Sequence, residues 1–315
     1  MNAHRELLSQ LSIAVLFGGR SGERDVSIAG ARTVIEALEQ TGYAPKVIDT
    51  GEDRWWQKLD GVELAFNMQH GAGGEDGVTQ GLLESLGIVG TGSGVLGSAL
   101  AMDKLRCKRL WLAMGLPTAD FEVVATPDEV EALVELWGAL FLKPAREGSS
   151  LGMSRVDSNS DPAAALELAL AHDATVIAER FVDGPEYTVA VLGERCLPPI
   201  RVQAASLFYD YEAKYHSDAT RYHIPCGLNE RDERELCELV LHAFDAVQGE
   251  IWGRVDLIRD SDDMFQLLEV NTVPGMTDHS LVPMAARAAG LSLPELVEEI
   301  LWRSWTRTRG AEVSR

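Results

Sequence analysis

Cysteine is scarce in this sequence and follows no pattern. Cys107, Cys196, Cys226 and Cys237 show no C-x-x-C spacing. They outline neither a zinc site nor a disulfide framework, and isolated thiols fit a reducing compartment. Positive charge is short as well: 28 Lys and Arg stand against 49 Asp and Glu, a formal net of −21. No Lys/Arg block interrupts that acidic field, which argues against nucleic acid and anionic lipid as partners. An anionic substrate would need local clusters of positive charge. Residues 1–12 carry charge but no apolar stretch of the signal-peptide kind. No apolar run approaches the roughly 18 residues that span a bilayer. A cytoplasmic protein without a membrane partner is expected.

What is present is ample apolar material. Hydrophobic residues make up 46% of 315, enough for substantial cores, and the length suggests two or three domains. The first third alternates strand and helix signals. Ile13–Phe17 is a short apolar run ending in Gly18-Gly19, as a buried parallel strand would. Ser27 is placed to cap a helix to about Gln40, and Gly42 to stop it. Strands over 43–48 and 62–67 and a helix over 78–86 extend the alternation, which predicts a parallel sheet covered by helices. A boundary falls near Thr91-Gly-Ser-Gly94. A helix over 102–114 then leads into an α+β pattern, with strands expected over 121–124, 139–143, 176–181 and 187–192. Further on, Leu236, Leu239, Val240, Ala243, Phe244 and Val247 form one apolar helical stripe. Strands over 253–259 and 264–270 follow, joined by the acidic turn Asp260-Ser-Asp-Asp263. Helices from about Ser280 and over 293–302 close the chain.

The last hairpin carries the strongest chemical signal. The two-residue strand period puts Glu269 and Asn271 on one face, and antiparallel pairing can bring Asp256 beside them. Three oxygen donors among apolar strands are costly to bury unless a cation neutralises them. Hard oxygen ligands suit magnesium, which shares phosphate oxygens with a nucleotide. Arg254 adds a cation to the same face, making a charged cluster rather than a solvated edge.

Other segments are weaker alone. Lys143 ends a strand, and the small-residue loop to Gly152 can bend over a triphosphate. The same loop offers a rival. Gly148-Ser-Ser-Leu-Gly152 matches a G-x-S-x-G nucleophile elbow with Ser150 as nucleophile, and Asp256 and His279 follow in serine-hydrolase order. The extended chain expected over 153–156 argues against it, because an elbow must enter a helix. Glu23 lies in the loop after the first strand, where ligands of open α/β sheets bind. It could hold a substrate ammonium or merely complement a helix N-terminus. Tyr209–Tyr215 holds three tyrosines and Lys214; it could pack as a loop or form a water-excluding lid.

Together these segments resemble the D-alanine–D-alanine ligases of the ATP-grasp superfamily over nearly the whole chain. The carrying motifs begin with Gly18–Ser27, His70–Gly77, Thr91–Gly94 leading to Met102-Asp-Lys104, and Lys143–Met153. Gly184-Pro-Glu186, Tyr209–Tyr215, Gly253–Asp256, Glu269–Thr277 and His279–Met284 continue them in order. The resemblance implies an α/β chain: a parallel-sheet unit over 1–95, then a two-lobed α+β ATP-grasp fold over 96–184 and 185–315. It implies that Lys104, Lys143 and Lys214 contact nucleotide phosphates, with Ser149 in the loop over them. Glu179, Arg180, Phe181 and Val182 would line the adenine pocket, and Glu186 would bind ribose. Asp256, Glu269 and Asn271 would hold two magnesium ions, with manganese able to substitute. Glu23, with His70 nearby, would anchor the ammonium of the first D-alanine, and Tyr215 and Ser149 would link the lid to Glu23. Arg254 and the Gly275 N–H would stabilise an oxyanion. Ser280, beside Leu281, would bind the second D-alanine carboxylate.

The implied reaction phosphorylates one D-alanine with ATP, then lets the amine of the second attack the acylphosphate, giving the dipeptide of peptidoglycan precursors. The resemblance also implies a homodimer. An ATP-grasp ligase with another acceptor is the alternative. Ala72, Asp25 and Arg180 depart from residues common in the family, and Arg180 can still stack on adenine with different geometry.

Overall fold

The computed structural model describes residues 3–203 and 220–313. The tyrosine-rich stretch, with Lys214 and Tyr215, lies outside the described residues. Among the described residues the chain builds three sheets in succession.

The first sheet holds β1 (Ile13–Phe17), β2 (Lys46–Asp49), β3 (Leu64–Asn67) and β4 (Val89–Gly90), parallel throughout in the order β2-β1-β3-β4. Helices α1 (Ala3–Leu8), α2 (Arg24–Gln40) and α3 (Val78–Ser85) accompany it. β1 is apolar without alternation because both its faces are covered. Ala31, Val34 and Leu38 of α2 pack on one side, Leu59, Leu83 and Ile88 on the other. The chain leaves β1 toward β2 and returns to β3 on the opposite side of β1. The carboxyl ends of β1 and β3 therefore form a topological switch point, the crevice of an open parallel sheet.

Helix α2 begins three residues before the expected cap. Ser27 is buried inside it, where its hydroxyl accepts from the Gly18 N–H at 2.8 Å and donates to the Met68 carbonyl at 2.6 Å. Ser27 thus ties the β1 loop to the end of β3 instead of starting a helix. The helix expected over 102–114 is α5 (Lys104–Ala113), and a further helix, α4 (Val95–Met102), precedes it. Asp103 separates the two: its extended backbone stops α4, and its carboxylate accepts from the Arg106 N–H at 3.0 Å to cap α5.

The second sheet, β5 (Phe121–Val124), β6 (Ala139–Pro144), β7 (Ser154–Asp157) and β8 (Val176–Arg180), is antiparallel in the order β5-β8-β6-β7. Helices α6 (Pro127–Trp137) and α7 (Pro162–Leu170) cover it, and Val130, Leu140, Leu142, Val156 and Leu166 form its own core. A capping box of Thr126 and Glu129 with Pro127 in the first turn starts α6.

The third sheet comprises β9 (Glu186–Leu192), β10 (Arg195–Cys196), β11 (Ile200–Gln203), β12 (Arg221–His223), β13 (Trp252–Arg259) and β14 (Phe265–Asn271). Its order is β12-β11-β9-β13-β14, with β10 paired to β9. Helix α8 (Glu230–Ala246) and α5 pack on one face through Trp111, Leu236, Val240 and Phe244. Trp111 Nε1 donates to the Ala243 carbonyl at 3.1 Å. Helices α9 (Leu281–Ala288) and α10 (Leu293–Val313) contribute Val282, Leu296 and Ile300 to a core shared with α2, β3 and β9. The first and third sheets are therefore held together by one apolar interior.

Candidate active site

The register of β13 against β14 sets Asp256 opposite Glu269 and Arg254 opposite Asn271. A bulge just after Asp256 shifts the pairing there, a device that re-aims side chains. Asp256 is only 6% exposed. The Arg254 guanidinium donates to both its carboxylate oxygens, at 2.8 and 2.7 Å, and the Thr188 hydroxyl donates at 2.6 Å. Lys104 Nζ stands 3.4 Å from Glu269 Oε2 and donates to the Glu147 carbonyl at 2.6 Å. Asn271 Oδ1 accepts from the Val273 N–H at 3.0 Å. Among the described residues no cluster of three His, Cys, Asp or Glu could hold an ion. The hairpin instead offers two carboxylates and an amide. That set of hard oxygens fits magnesium whose remaining ligands are phosphate oxygens and water.

Two cavities meet at this hairpin. The first, about 480 Å³, lies between the second and third sheets. Lys104, Lys143, Glu179, Arg180, Phe181, Val182, Glu186, Asp256 and Glu269 all line it. Phe181 lies 5.7 Å from Phe141, centroid to centroid and tilted by 58°, with the Arg155 guanidinium 5.0 Å over its ring. Arg180 reaches Asp120 at 3.2 Å. Glu179 is buried between Lys108 Nζ, 2.6 Å away, and Lys143 Nζ. Burial alone would raise its carboxyl, but the two ammonium groups outweigh burial and hold it down to about 2. Arg146 pins the loop after β6 by donating to both Asp173 oxygens, at 2.9 and 2.6 Å.

The second cavity, about 420 Å³, opens at the switch point of the first sheet. Glu23, His70, Ser149, Arg254, Asn271, Gly275, Ser280 and Leu281 line it, together with Lys104 and Glu269 from the first. Ser149 donates to Glu23 Oε1, and its backbone takes a positive φ of 50° in the loop. Glu23 is 6% exposed. Burial and the neighbouring Glu75 push its carboxyl above the ordinary glutamate value, against the Ser149 hydroxyl, His70 and Lys104. Space around it is tight: a Cβ on Gly71 or Gly148 would sit 2.8 Å from Glu23 Oε2. His70 is 5% exposed, and its Nε2 has no hydrogen-bond partner among the described residues. Its Nδ1 lies 3.6 Å from Glu75 Oε1, while Glu75 Oε2 accepts from the Gly71 N–H at 2.7 Å. Ser280 Oγ accepts from the Thr277 N–H at 3.0 Å, and a Cβ on Gly275 would approach it to 2.9 Å.

Every candidate residue within the described chain therefore lines one of the two cavities. Glu75, Lys108, Thr188 and Asp173 escaped sequence reasoning. Glu75 sits inside the His70–Gly77 motif, but the other three carry no local signal. The hydrolase arrangement is not assembled: Ser150 lines the first cavity and His279 the second. The chain after Gly152 enters strand β7 rather than a helix, and Asp256 is taken up by Arg254 and Thr188.

Comparison with known proteins agrees with this geometry. The family models described as D-ala D-ala ligase N-terminus and C-terminus match residues 12–61 and 110–302. The D-alanine–D-alanine ligase of Pseudomonas putida (strain GB-1) is 50% identical over 300 residues, 95% of this chain and 94% of that protein. A crystal structure of the D-alanine–D-alanine ligase from Bacillus anthracis superposes with a TM-score of 0.85 at 32% identity, covering 96% of this chain and 99% of that one. The same ligase complexed with ATP gives 0.83 at 30% identity over the same shares.

Proposed function

The chain belongs to the D-alanine–D-alanine ligase family, and from that premise we propose how its two cavities divide one reaction. The protein has the ATP-grasp fold behind an N-terminal parallel sheet. It is an ATP-dependent ligase that joins two D-alanine molecules into D-alanyl-D-alanine for cell-wall synthesis. The cavity between the second and third sheets is read as the nucleotide subsite, and the cavity at the switch point as the amino-acid subsite. The shared wall carries this reading: Lys104 and Glu269 face both cavities, so a phosphoryl group in one lies beside a carboxylate in the other.

A carboxylate is a poor electrophile because attack pushes charge onto an already negative group. Phosphorylation by ATP supplies a leaving group, and the second amine then displaces phosphate. In this reading Lys104 and Lys143 offset phosphate charge, and Phe181 with Val182 faces the adenine while Glu186 takes the ribose. Asp256, Glu269 and Asn271 would hold magnesium, with manganese as a substitute, to neutralise the transferred phosphoryl group. Glu23 binds the ammonium of the first D-alanine, aided by His70, whose Nε2, without a partner among the described residues, supports a ligand partner in this cavity. Arg254 and the Gly275 N–H face the developing oxyanion, and Ser280 with Leu281 receives the second D-alanine. Lys214 and Tyr215, in the segment outside the described residues, are assigned to contact with phosphate and to keeping water from the acylphosphate. A cytoplasmic homodimer completes the proposal.

Incubation with ATP, magnesium and D-alanine should release one phosphate per dipeptide. Phosphate release with another amino acid or hydroxy acid, but none with D-alanine, would overturn the substrate assignment.

A further inference from the structure

Lys108 lies on α5 and is 1% exposed, yet among the described residues lining the two cavities it does not appear. A buried ammonium is costly unless it is paired and hydrogen-bonded, and an apolar side chain would fill the same volume without that cost. Lys108 has both kinds of partner. Its Nζ donates to the Thr118 hydroxyl at 2.5 Å, pairs with Glu179 Oε2 at 2.6 Å and lies 5.3 Å from the Phe121 ring centroid. Burial pulls the ammonium below the ordinary lysine value, while Glu179 opposes that pull.

The two partners lead in opposite directions. Glu179 gives its other oxygen to Lys143, which lines the first cavity. Thr118 donates its hydroxyl proton to the Leu267 carbonyl at 2.7 Å, and the Leu267 N–H donates to the Pro117 carbonyl at 2.9 Å. Leu267 lies on β14 two residues before Glu269. An unbroken chain of polar contacts thus runs from β14 through Thr118, Lys108 and Glu179 to Lys143. It links the second sheet to the third behind the wall of the cavity.

We propose that Lys108 is a positioning residue of the nucleotide subsite, holding Glu179 and through it Lys143 in register with the strand that carries Glu269. The proposal rests on reading that cavity as the ATP site, and three variants separate the two claims. Lys143→Ala must raise the KM for ATP if the cavity binds nucleotide at all; an unchanged KM would sink the site reading itself. With that established, Lys108→Met should raise the KM for ATP about tenfold, a difference of about 1.4 kcal/mol, and leave the KM for D-alanine within twofold. Folded Lys108→Met with an unchanged KM for ATP, or with equal rises for both substrates, would overturn the proposal. Should Lys108→Met fail to fold, Thr118→Val decides, because it cuts the chain at β14 without stranding a charge. A rise of threefold or more in the KM for ATP alone supports positioning, and no rise refutes it.

Discussion

Glu269 lines both cavities, as Lys104 does, and Glu269→Gln separates its chemical from its structural contribution. The substitution preserves volume and removes one charge. Its ion partner, Lys104 Nζ, is 3.4 Å away, with side chains 16% (Lys104) and 27% (Glu269) exposed. A partly exposed pair of this kind contributes about 1 kcal/mol or less. For a protein of this size that corresponds to a melting shift of no more than about 4 °C. Lys104 also keeps its bond to the Glu147 carbonyl, so the amide variant leaves no isolated ammonium. The catalytic cost is far larger if the carboxylate acts at the phosphoryl group. Loss of one preorganised electrostatic group typically lowers turnover about 10²–10³-fold. ADP release in the presence of D-alanine and magnesium, alongside calorimetric melting, reads the two effects separately. Loss of activity only in proportion to loss of folded protein would refute the reasoning, as would full activity at ordinary magnesium.

Three further outcomes follow from other parts of the molecule. Glu23 must be ionised to hold an ammonium, and its carboxyl sits above the ordinary glutamate value. The KM for D-alanine should therefore begin to rise on acidification above pH 4.5, and Glu23→Gln should bind weakly with no such limb in its pH profile. Glu179 works with the opposite sign: its folded value of about 2 lies below the ordinary 4.5. Its stabilising contribution is present above pH 4.5 and lost as pH falls toward 2, so acid unfolding of Glu179→Gln, followed by circular dichroism, should lack that part of the slope. Thr126→Ala removes the capping box of α6, away from both cavities, and should cost about 1 kcal/mol in denaturant titrations with both KM values unchanged.

Much of this architecture is legible in the sequence because its signals are local. The continuous apolar run of β1, the glycine turn after it and the acidic turn before β14 each specify their own geometry. The Asp256–Glu269 pairing follows from strand period and a tight hairpin. What escapes is tertiary. Ser27 has the sequence of a helix cap, but its hydroxyl is claimed by Gly18 and Met68, 41 positions from Ser27 in the latter case. Helix α4 stands unforeseen before the expected helix; Asp103 ends it and caps α5, placing Lys104 at the first turn of α5 with its N–H on the Ala145 carbonyl. Lys108 sits in the stretch Lys104-Leu-Arg-Cys-Lys-Arg109, where nothing local sets it apart from the neighbouring cations. Only the approach of β8 and Thr118 shows that one of its lysines is interior. Likewise Glu75 gains meaning only once the switch point brings the loops after β1 and β3 together.

The most direct test is to locate the ligands in a crystal grown with ADP, magnesium and D-alanine. The nucleotide base should lie against Phe181, its phosphates beside Lys143 and Lys104, the metal on Asp256, Glu269 and Asn271, and D-alanine at Glu23. Density for ADP away from the cleft between the second and third sheets, or metal held by other side chains, would contradict that placement.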